Sequence, residues 1–491
     1  MHILSKRLLL AACLSVAGAA GALAQQTGAG TDNTWSLEEA IDYAMRNNLR
    51  VQQSQLNKSF EAVDVRQAKL NRLPSINAGG NYSYNAGSFQ DPVTFSLETQ
   101  DARTSSVQAG LSVPLFMGFQ QLNQIKQNEL ELQASEQEAL SVQNDISIQI
   151  VTAYLNILFA TELIKTTDLQ RTLTQQQLER TNVLFKAGSV AENAVLDLQS
   201  QLATDELNYI NAQNQLDVAR LSLMQLLNLP YSQDFRIEVP EIPEPDQNPV
   251  LVNGNEVYDI AVQTLPAIKA ADLRVLSAAT AIEVAQGAYY PRLSLSAGIS
   301  SRYSNNSRFV YGRETTVSFL RQELFLDPEG NQPIGNPYVK VYGVRSLNRD
   351  YPYFDQLKDN IAKSVGLSLQ IPIFNGFQVR NNVQRARISE QNAKLNADIA
   401  RNNLRQTIEQ AYVDAVASQR RYVAAKQQVV AAEKNYRNAE LRLNSGVINT
   451  IDFNLIASTL RSAQSSLLQA KYEYTFKLKI LDFYQGKKLS L

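Results

Sequence analysis

Side chains that commonly carry catalysis are scarce in this chain. It has one cysteine, Cys13, and one histidine, His2. Both lie in an N-terminal stretch that reads as an export signal. His2-Ile3-Leu4-Ser5-Lys6-Arg7 is a basic segment, Leu8 to Val16 an apolar one, and Ala22-Leu23-Ala24 a small-residue cleavage box. Cleavage between Ala24 and Gln25 removes both residues. The mature chain then has no disulfide, no thiol nucleophile and no imidazole base, which excludes Cys/His zinc sites and Ser-His or Cys-His catalysis. A rival reading takes Leu10-Ala11-Ala12-Cys13 as a lipidation box, but an apolar segment of about five residues before Cys13 is short for an export signal. Carboxylates remain. Pairs such as Glu38-Glu39 sit on helix faces with no convergent nucleophile or base, so no enzyme, metal or cofactor is expected.

The 491 residues suffice for two or three ordinary domains. A net charge of -1 gives no field that would attract nucleic acid. Past the signal there is no unbroken run of 18 apolar residues, so a membrane role must come from strands.

The elements that position the remaining groups are written twice. With an offset of 258, Pro114 falls on Pro372, Phe116 on Phe374, Gly118-Phe119 on Gly376-Phe377, Ala153-Tyr154 on Ala411-Tyr412, Gly188 on Gly446 and Ala212 on Ala470. Punctuating Pro and Gly residues match, so the repeat is one of architecture. The first copy spans 25–229 and the second 255–485. Between them the Pro-rich stretch from Pro230 to Pro249 predicts an extended linker, and 486–491 form a short tail.

Gly and Pro are missing from Trp35 to Leu73, Phe119 to Ala187, Ser189 to Asn228, Phe377 to Ser445 and Val447 to Gln485. Their composition favours helix, and Ser36-Leu37-Glu38-Glu39 is a capping box that opens the first. A helix over Phe119 to Ala187 would be about 100 Å long. Its apolar residues follow heptads through Leu122, Ile125, Leu132, Ala139, Ile146, Ile150, Ala153, Ile157, Ala160 and Ile164, a coiled-coil period. The second copy sets Ala411, Ala425, Ala432 and Ala439 on one heptad row. The polar faces read either as solvated surface or as walls lining water. Gly188 and Gly446 each fall where a helix must stop and reverse, so each copy predicts a long antiparallel helical hairpin.

Four segments alternate with period two: 76–85, 107–115, 293–300 and 364–371. One face is apolar, and the other carries Ser, Asn, Gln and Gly. Each is about ten residues, long enough to cross a bilayer when tilted. Aromatics near their ends (Tyr82, Tyr84, Phe116, Phe119, Tyr303, Phe374, Phe377) suit interfacial girdles. Hairpins covering a soluble core are the competing reading; against it, the polar faces lack Lys and Glu. Pro74 matches Pro291 at an offset of 217 against 258 after the second strand, so the loop of the second pair, which includes Arg308 to Asp355, is longer by an insertion of 41 residues and reads as a long exposed loop. Four strands cannot close a barrel, and open edges do not persist in lipid. Single-chain barrels begin at about eight strands, so at least two protomers must share one.

These motifs resemble the TolC-type outer-membrane efflux family of Gram-negative bacteria. The resemblance rests on Leu37-Glu38-Glu39-Ala40-Ile41 with Asn47-Asn48, on Leu73-Pro74-Ser75, and on the joints Pro114-Leu115-Phe116-Met117-Gly118-Phe119 and Pro372-Ile373-Phe374-Asn375-Gly376-Phe377. The tips Lys186-Ala187-Gly188 and Arg442-Leu443-Asn444-Ser445-Gly446 complete it. It implies a mixed α+β membrane protein, a homotrimer whose 12-stranded β-barrel continues into an α-helical coiled-coil tunnel in the periplasm. It implies a passive exit duct for efflux or type I secretion. Its partners would be a periplasmic adaptor and an inner-membrane transporter of RND, ABC or MFS type, which largely set the cargo. The adaptor would dock near Leu184, Phe185, Gly188, Leu443, Gly446 and Val447, although packing within the reversal also explains their apolar character. In the family, acids past the second tip ring the aperture and an Asp–Arg pair holds it shut. Asp452 matches the first acid, but Leu455 stands at the second, Ile448 at the Arg position and Ala194 opposite. Asp197 could supply a second carboxylate; both acids read equally as solvated helix charges. A trimeric adhesin or envelope scaffold is the alternative, but adhesins carry their anchoring strands once, at the C-terminus.

Overall fold

The computed structural model describes residues 34–487 except 91–94, 96, 99–100, 241–243, 246–252, 322–324, 327–332, 335–337, 446 and 449. The signal segment, with Cys13, Ala24 and Gln25, lies outside the described residues, as does Gly446.

The elements run in chain order as β1 (Thr34–Trp35), α1 (Leu37–Asn47), α2 (Leu49–Leu70), β2 (Ser75–Asn85), β3 (Ala102–Met117), α3 (Gln120–Lys186), α4 (Glu192–Leu226) and β4 (Arg236–Ile237). The second half follows with α5 (Gly254–Thr264), α6 (Pro266–Gln286), β5 (Arg292–Ser304), β6 (Arg308–Arg321), β7 (Tyr338–Asp350), α7 (Tyr353–Asp359), β8 (Ala362–Gln370), α8 (Gln378–Asn444) and α9 (Thr450–Tyr484).

The bounds obey the repeat offsets. Helices α3 and α8 are each 67 residues and begin 258 apart; α4 and α9 are each 35 residues and do the same. Even the stops agree. Asn228 and Gly486, also 258 apart, both take positive φ, 58° and 84°. Each closes its helix with a bond back over five residues, Leu229 N–H to Met224 O and Lys487 N–H to Asp482 O.

The chain divides into two compact units. The first holds the described parts of Met1–Asn57, Glu136–Ala270 and Asp398–Leu491. Its largest core joins Leu37, Ala40, Ala44 and Val51 to Ile146, Ile150, Tyr154, Ile157, Leu223 and Met224. Of the heptad positions, Ala139, Ile146, Ile150, Ala153, Ile157 and Ala160 are buried, whereas Leu122 is exposed. An 18-residue stretch of α3 has mean hydropathy 1.4, apolar enough by length and composition to cross a membrane, and half of it is buried inside the protein. The unbroken-run criterion passes over it because Thr, Asn and Glu interrupt the apolar residues.

The capping box forms: Ser36 Oγ accepts from Glu39 N–H at 3.2 Å, and Glu39 Oε2 accepts from Ser36 N–H at 3.1 Å. The helix expected from there to Leu73 is two helices. Asn48 breaks it with an extended backbone. Its Oδ1 caps α2 by accepting from Arg50 N–H at 2.9 Å, and its Nδ2 donates to Leu226 O at 2.7 Å. The second copy breaks at the matching place, where Pro266 opens α6. Pro is suited to the first helical position because its absent N–H would lack a partner anyway. The linker is tied down near its start. β4 pairs in parallel with β1, and the buried Tyr154 hydroxyl donates to Glu238 O at 2.5 Å and Trp35 O at 3.1 Å.

The second unit, Lys58–Ser135 with Ala271–Ala397, carries the antiparallel sheet in the order β8-β5-β3-β2. The insertion expected as a loop is mostly ordered structure. β6 and β7 pair over 13 positions, and α7 lies on β5, where Gln356 is buried and bridges both backbone groups of Ser304. Alternating Val, Phe, Tyr and Thr favours a strand, but Gly, Asn and Arg between them hide the period.

Candidate functional site

The sheet comes first. Strand period puts Asn77, Asn81, Gln108, Ser112, Ser294, Ser296, Ser364 and Ser368 on one face. The other bears Ile76, Tyr82, Leu111, Leu293, Leu295, Val365, Leu367 and Leu369. Register keeps like with like, as in Leu367 opposite Leu295 and Asn77 opposite Gly110. Nearly every residue of both outer strands is exposed, Ile76 at 74% and Val365 at 79%. A row of apolar side chains opposite a row of Ser and Asn, with both edges open, has no solution as an isolated surface in water. It suits a wall with lipid on one side and water on the other.

The joints take the sheet into the long helices. Gly118 and Phe119 have φ of 62° and 63°; Gly376 and Phe377 have 62° and 61°. Two successive left-handed residues make the tight turn that redirects the chain, and a phenylalanine there is under backbone strain. Its ring recovers contact edge-on, Phe119 against Phe116 at 5.2 Å and Phe377 against Phe374 at 5.6 Å. A Cβ on Gly118 would stand 2.2 Å from Gly287 O, whereas one on Gly376 would meet nothing within 4 Å. Pro114 sits at a register shift in β3, where its missing N–H is tolerated; Pro372 lies beyond the end of β8. Arg292 reaches Gln120 Oε1 at 3.1 Å. A polar cleft of about 550 Å³ at this end of the sheet is lined by residues including Asn71, Gln121, Arg292, Ser294 and Ser368.

The tips come next. At the first, Gly188 has φ 71°; its N–H bonds Phe185 O at 2.9 Å and Ser189 N–H bonds Leu184 O at 2.9 Å. The second repeats the five-residue bond, Val447 N–H to Arg442 O at 2.8 Å. Phe185 and Val447 are exposed, and Leu184 and Leu443 half-buried. Phe185, 41% exposed, is partly packed within the reversal, whereas Val447 is 66% exposed. Asp197 and Asp452 are both exposed, Asp197 on the second turn of α4 and Asp452 on the first turn of α9. Leu455, the counterpart of Asp197, is 63% exposed. Ile448 is half-buried. Above the tips α3 meets α9 through Thr166 to Ser465 at 2.8 Å and Ser458 to Gln170 at 3.1 Å.

Several charged and polar groups carry no signal in the local sequence pattern. Asp205 is buried, with 4% of its surface exposed. It accepts from Thr174 Oγ1 at 2.6 Å and Gln201 Nε2 at 2.9 Å. Its counterpart is Ala463, and Thr174 matches Ala432, so comparing the copies position by position would have found it. Lys477 and Gln410 hold Asp414 between α8 and α9. The Lys477 hydrogen bond keeps that carboxyl below the ordinary range against the opposing effect of burial. Glu61 is displaced the other way, raised by burial and then by Glu131 and Asp64, with Arg274 opposing.

Comparison with known proteins agrees with this geometry. The profile described as outer membrane efflux protein matches residues 40–229 and 336–486, more than half of the chain. The outer membrane protein TolC of Escherichia coli is 24% identical over 444 residues, covering 89% of this chain and 80% of TolC. Among solved structures, VceC of Vibrio cholerae aligns with TM-score 0.67 at 17% identity over 92% of this chain and 97% of VceC. The CmeC channel of Campylobacter jejuni aligns with TM-score 0.68 at 16% identity over 93% of this chain and 87% of CmeC. Those two likenesses concern the fold, and the fold is that of the TolC-like channels. With strand pairs and helical hairpins doubled in the same order, this chain belongs to the outer membrane efflux protein family, the exit ducts of the outer membrane.

Proposed function

We propose that three copies of this chain form one duct, with a 12-stranded barrel in the outer membrane and the helical hairpins walling a tunnel in the periplasm. The observation that carries this reading is the four-stranded sheet with two open edges and opposed apolar and small-polar faces. Such edges must be paired in lipid, and three copies give a barrel within the usual size range. The duct is passive. A periplasmic adaptor docks at the tips through Leu184, Phe185, Gly188, Leu443, Gly446 and Val447, and an inner-membrane transporter of RND, ABC or MFS type supplies energy and selects cargo. The exposure of Phe185 and Val447 supports the docking role.

At the aperture, Asp197 and Asp452 form two rings of carboxylates that favour cations. With Ile448 and Ala194 at the family's latch positions, closure relies on contacts other than that Asp–Arg pair. Bilayer recordings in a KCl gradient test this reading. The expected result is oligomeric pores whose reversal potential favours potassium and moves toward zero in Asp452→Asn/Asp197→Asn. An outer-membrane oligomer that does not conduct would instead support an envelope scaffold. Unchanged selectivity in the double variant would remove the acids from the aperture.

A further inference from the structure

The sheet's open edges carry enough information to fix how the copies join. Within one chain, two offsets relate the repeats: 258 takes β3 to β8, and 217 takes β2 to β5. Observed pairing obeys both. Ile76 opposes Leu111, and the residues 217 and 258 further on, Leu293 and Leu369, also oppose each other. Ala78 with Ala109 becomes Leu295 with Leu367 in the same way. The repeat therefore conserves register as well as topology.

The central pair, β3 with β5, has its own image under these offsets, and that image is β8 with β2. No such pair exists within the chain, because these are the two edges. We infer that β8 of one copy pairs antiparallel with β2 of the next, in the register in which the two residue numbers sum to 449. Ala109 opposite Ile299 becomes Leu367 opposite Tyr82 of the partner subunit, and Gly110 opposite Gly298 becomes Ser368 opposite Asn81 of the partner subunit. The inference rests on the shared-barrel reading and adds to it the residue-by-residue seam.

Two independent features agree with it. First, chemistry matches at every step although the offsets were set elsewhere. Val365, Leu367 and Leu369 meet Tyr84, Tyr82 and Gly80 of the partner subunit on the apolar face, and Ser364, Gly366 and Ser368 meet Asn85, Ser83 and Asn81 of the partner subunit on the polar face. A slip of one residue would put the apolar side chains opposite the Ser, Asn and Gly residues of the polar face. Second, the turns show a vacancy at the right place. Gly118 is pressed against Gly287 and Tyr290, while its image Gly376 faces open space. The image of 287–290 is 70–73, beside the start of β2. There Leu70 and Leu73 are exposed, as is Phe377 at the other edge. A Cβ at Gly287 would stand 2.6 Å from Gly118 O, so with Leu70 in its place the seam brings these apolar surfaces together at a wider spacing than the Gly118–Gly287 contact.

Disulfide scanning tests the register. Apart from Cys13 in the export segment, the chain has no cysteine. Opposed residues on one face share one hydrogen-bonding class, and the closer class alternates between faces. One pair from each face is therefore needed: Ser368→Cys/Asn81→Cys and Leu367→Cys/Tyr82→Cys. The controls keep face but slip by two residues: Ser368→Cys with Ser83→Cys or Gly79→Cys, and Leu367→Cys with Tyr84→Cys or Gly80→Cys. Opposed Cβ atoms lie about 4.5–5.5 Å apart and diagonal ones about 7–8 Å, against roughly 3.5–4.5 Å in a disulfide. After mild oxidation in native outer membranes, at least one matched pair should give a reductant-reversible ladder ending in a closed trimer on heated gels, several-fold above its slipped controls. A slipped pair that links better, or no link in an oligomer that still conducts, overturns the register and leaves the duct intact. A chain that neither oligomerises nor conducts overturns the duct and the seam with it.

Discussion

The buried Asp205 pair permits a sharp test because the chain contains its own control. Thr174 and Asp205 lie between the two helices of the first hairpin, both almost wholly buried. The second hairpin fills the same positions with Ala432 and Ala463. Thr174→Ala takes a short hydrogen bond from a buried carboxylate, which costs about 1.5–3 kcal/mol. Asp205→Ala leaves the Thr174 hydroxyl buried without its acceptor, costing about 1–3 kcal/mol; Gln201 is exposed and turns to water. Removing both partners restores the arrangement of the second copy and should be nearly neutral, as it is when a buried polar pair gives way to apolar groups. The coupling energy should then approach the sum of the two single costs, about 2.5–6 kcal/mol, at or above the top of the usual range for residues in direct contact. Helical circular dichroism of the detergent-solubilised protein, heated at one scan rate, reads this out. Both singles should melt lower, by at most about 2–4 °C per kcal/mol in a chain of this size, with the double variant close to the parent. A double variant that melts as low as the worse single would refute the reasoning. It would show that Asp205 is retained for helix register or assembly rather than for pairing with Thr174.

Glu61 predicts a pH dependence. Burial chiefly, then Glu131 and Asp64, raise its folded pKa. Its contribution to stability is therefore full below the ordinary value of 4.5 and is lost as pH rises through the raised one. Glu61→Gln should melt higher than the parent at pH 7, with the gap closing near pH 4; a gap that widens in acid would contradict the assignment. Tyr154→Phe should destabilise by about 0.5–1.5 kcal/mol, because a short, part-buried hydrogen bond to Glu238 O is lost. The measure is a lower melting temperature in the same assay, and no change would mean that water enters to replace the hydroxyl.

Much of this protein is legible without coordinates. The hairpins are visible because long helices need an uninterrupted period and a residue suited to the left-handed stop, and α3, α8 and α9 are followed by a glycine while α4 uses Asn228. The strand pairs are visible because a wall between lipid and water imposes strict alternation. Features that depend on single polar groups were not legible. Asn48 breaks a stretch with excellent helix propensity because its side chain satisfies Leu226 O far away in sequence and caps α2 at once. The insertion folds as a hairpin with a short helix because Gln356 finds Ser304, a partner that no local pattern announces. Asp205 reads as one more solvated acid until Thr174 is placed beside it.

The division has a physical basis. Periodicity and punctuation follow from backbone geometry, which acts over a few residues, so the sequence alone determined the doubled order of strand pairs and helical hairpins. Register, buried polar partners and the close approach of Gly118 to Gly287 depend on groups brought together across 30 to 180 or more positions. Only the tertiary structure decided these, because a hydrogen bond or a steric contact is fixed by distance in space.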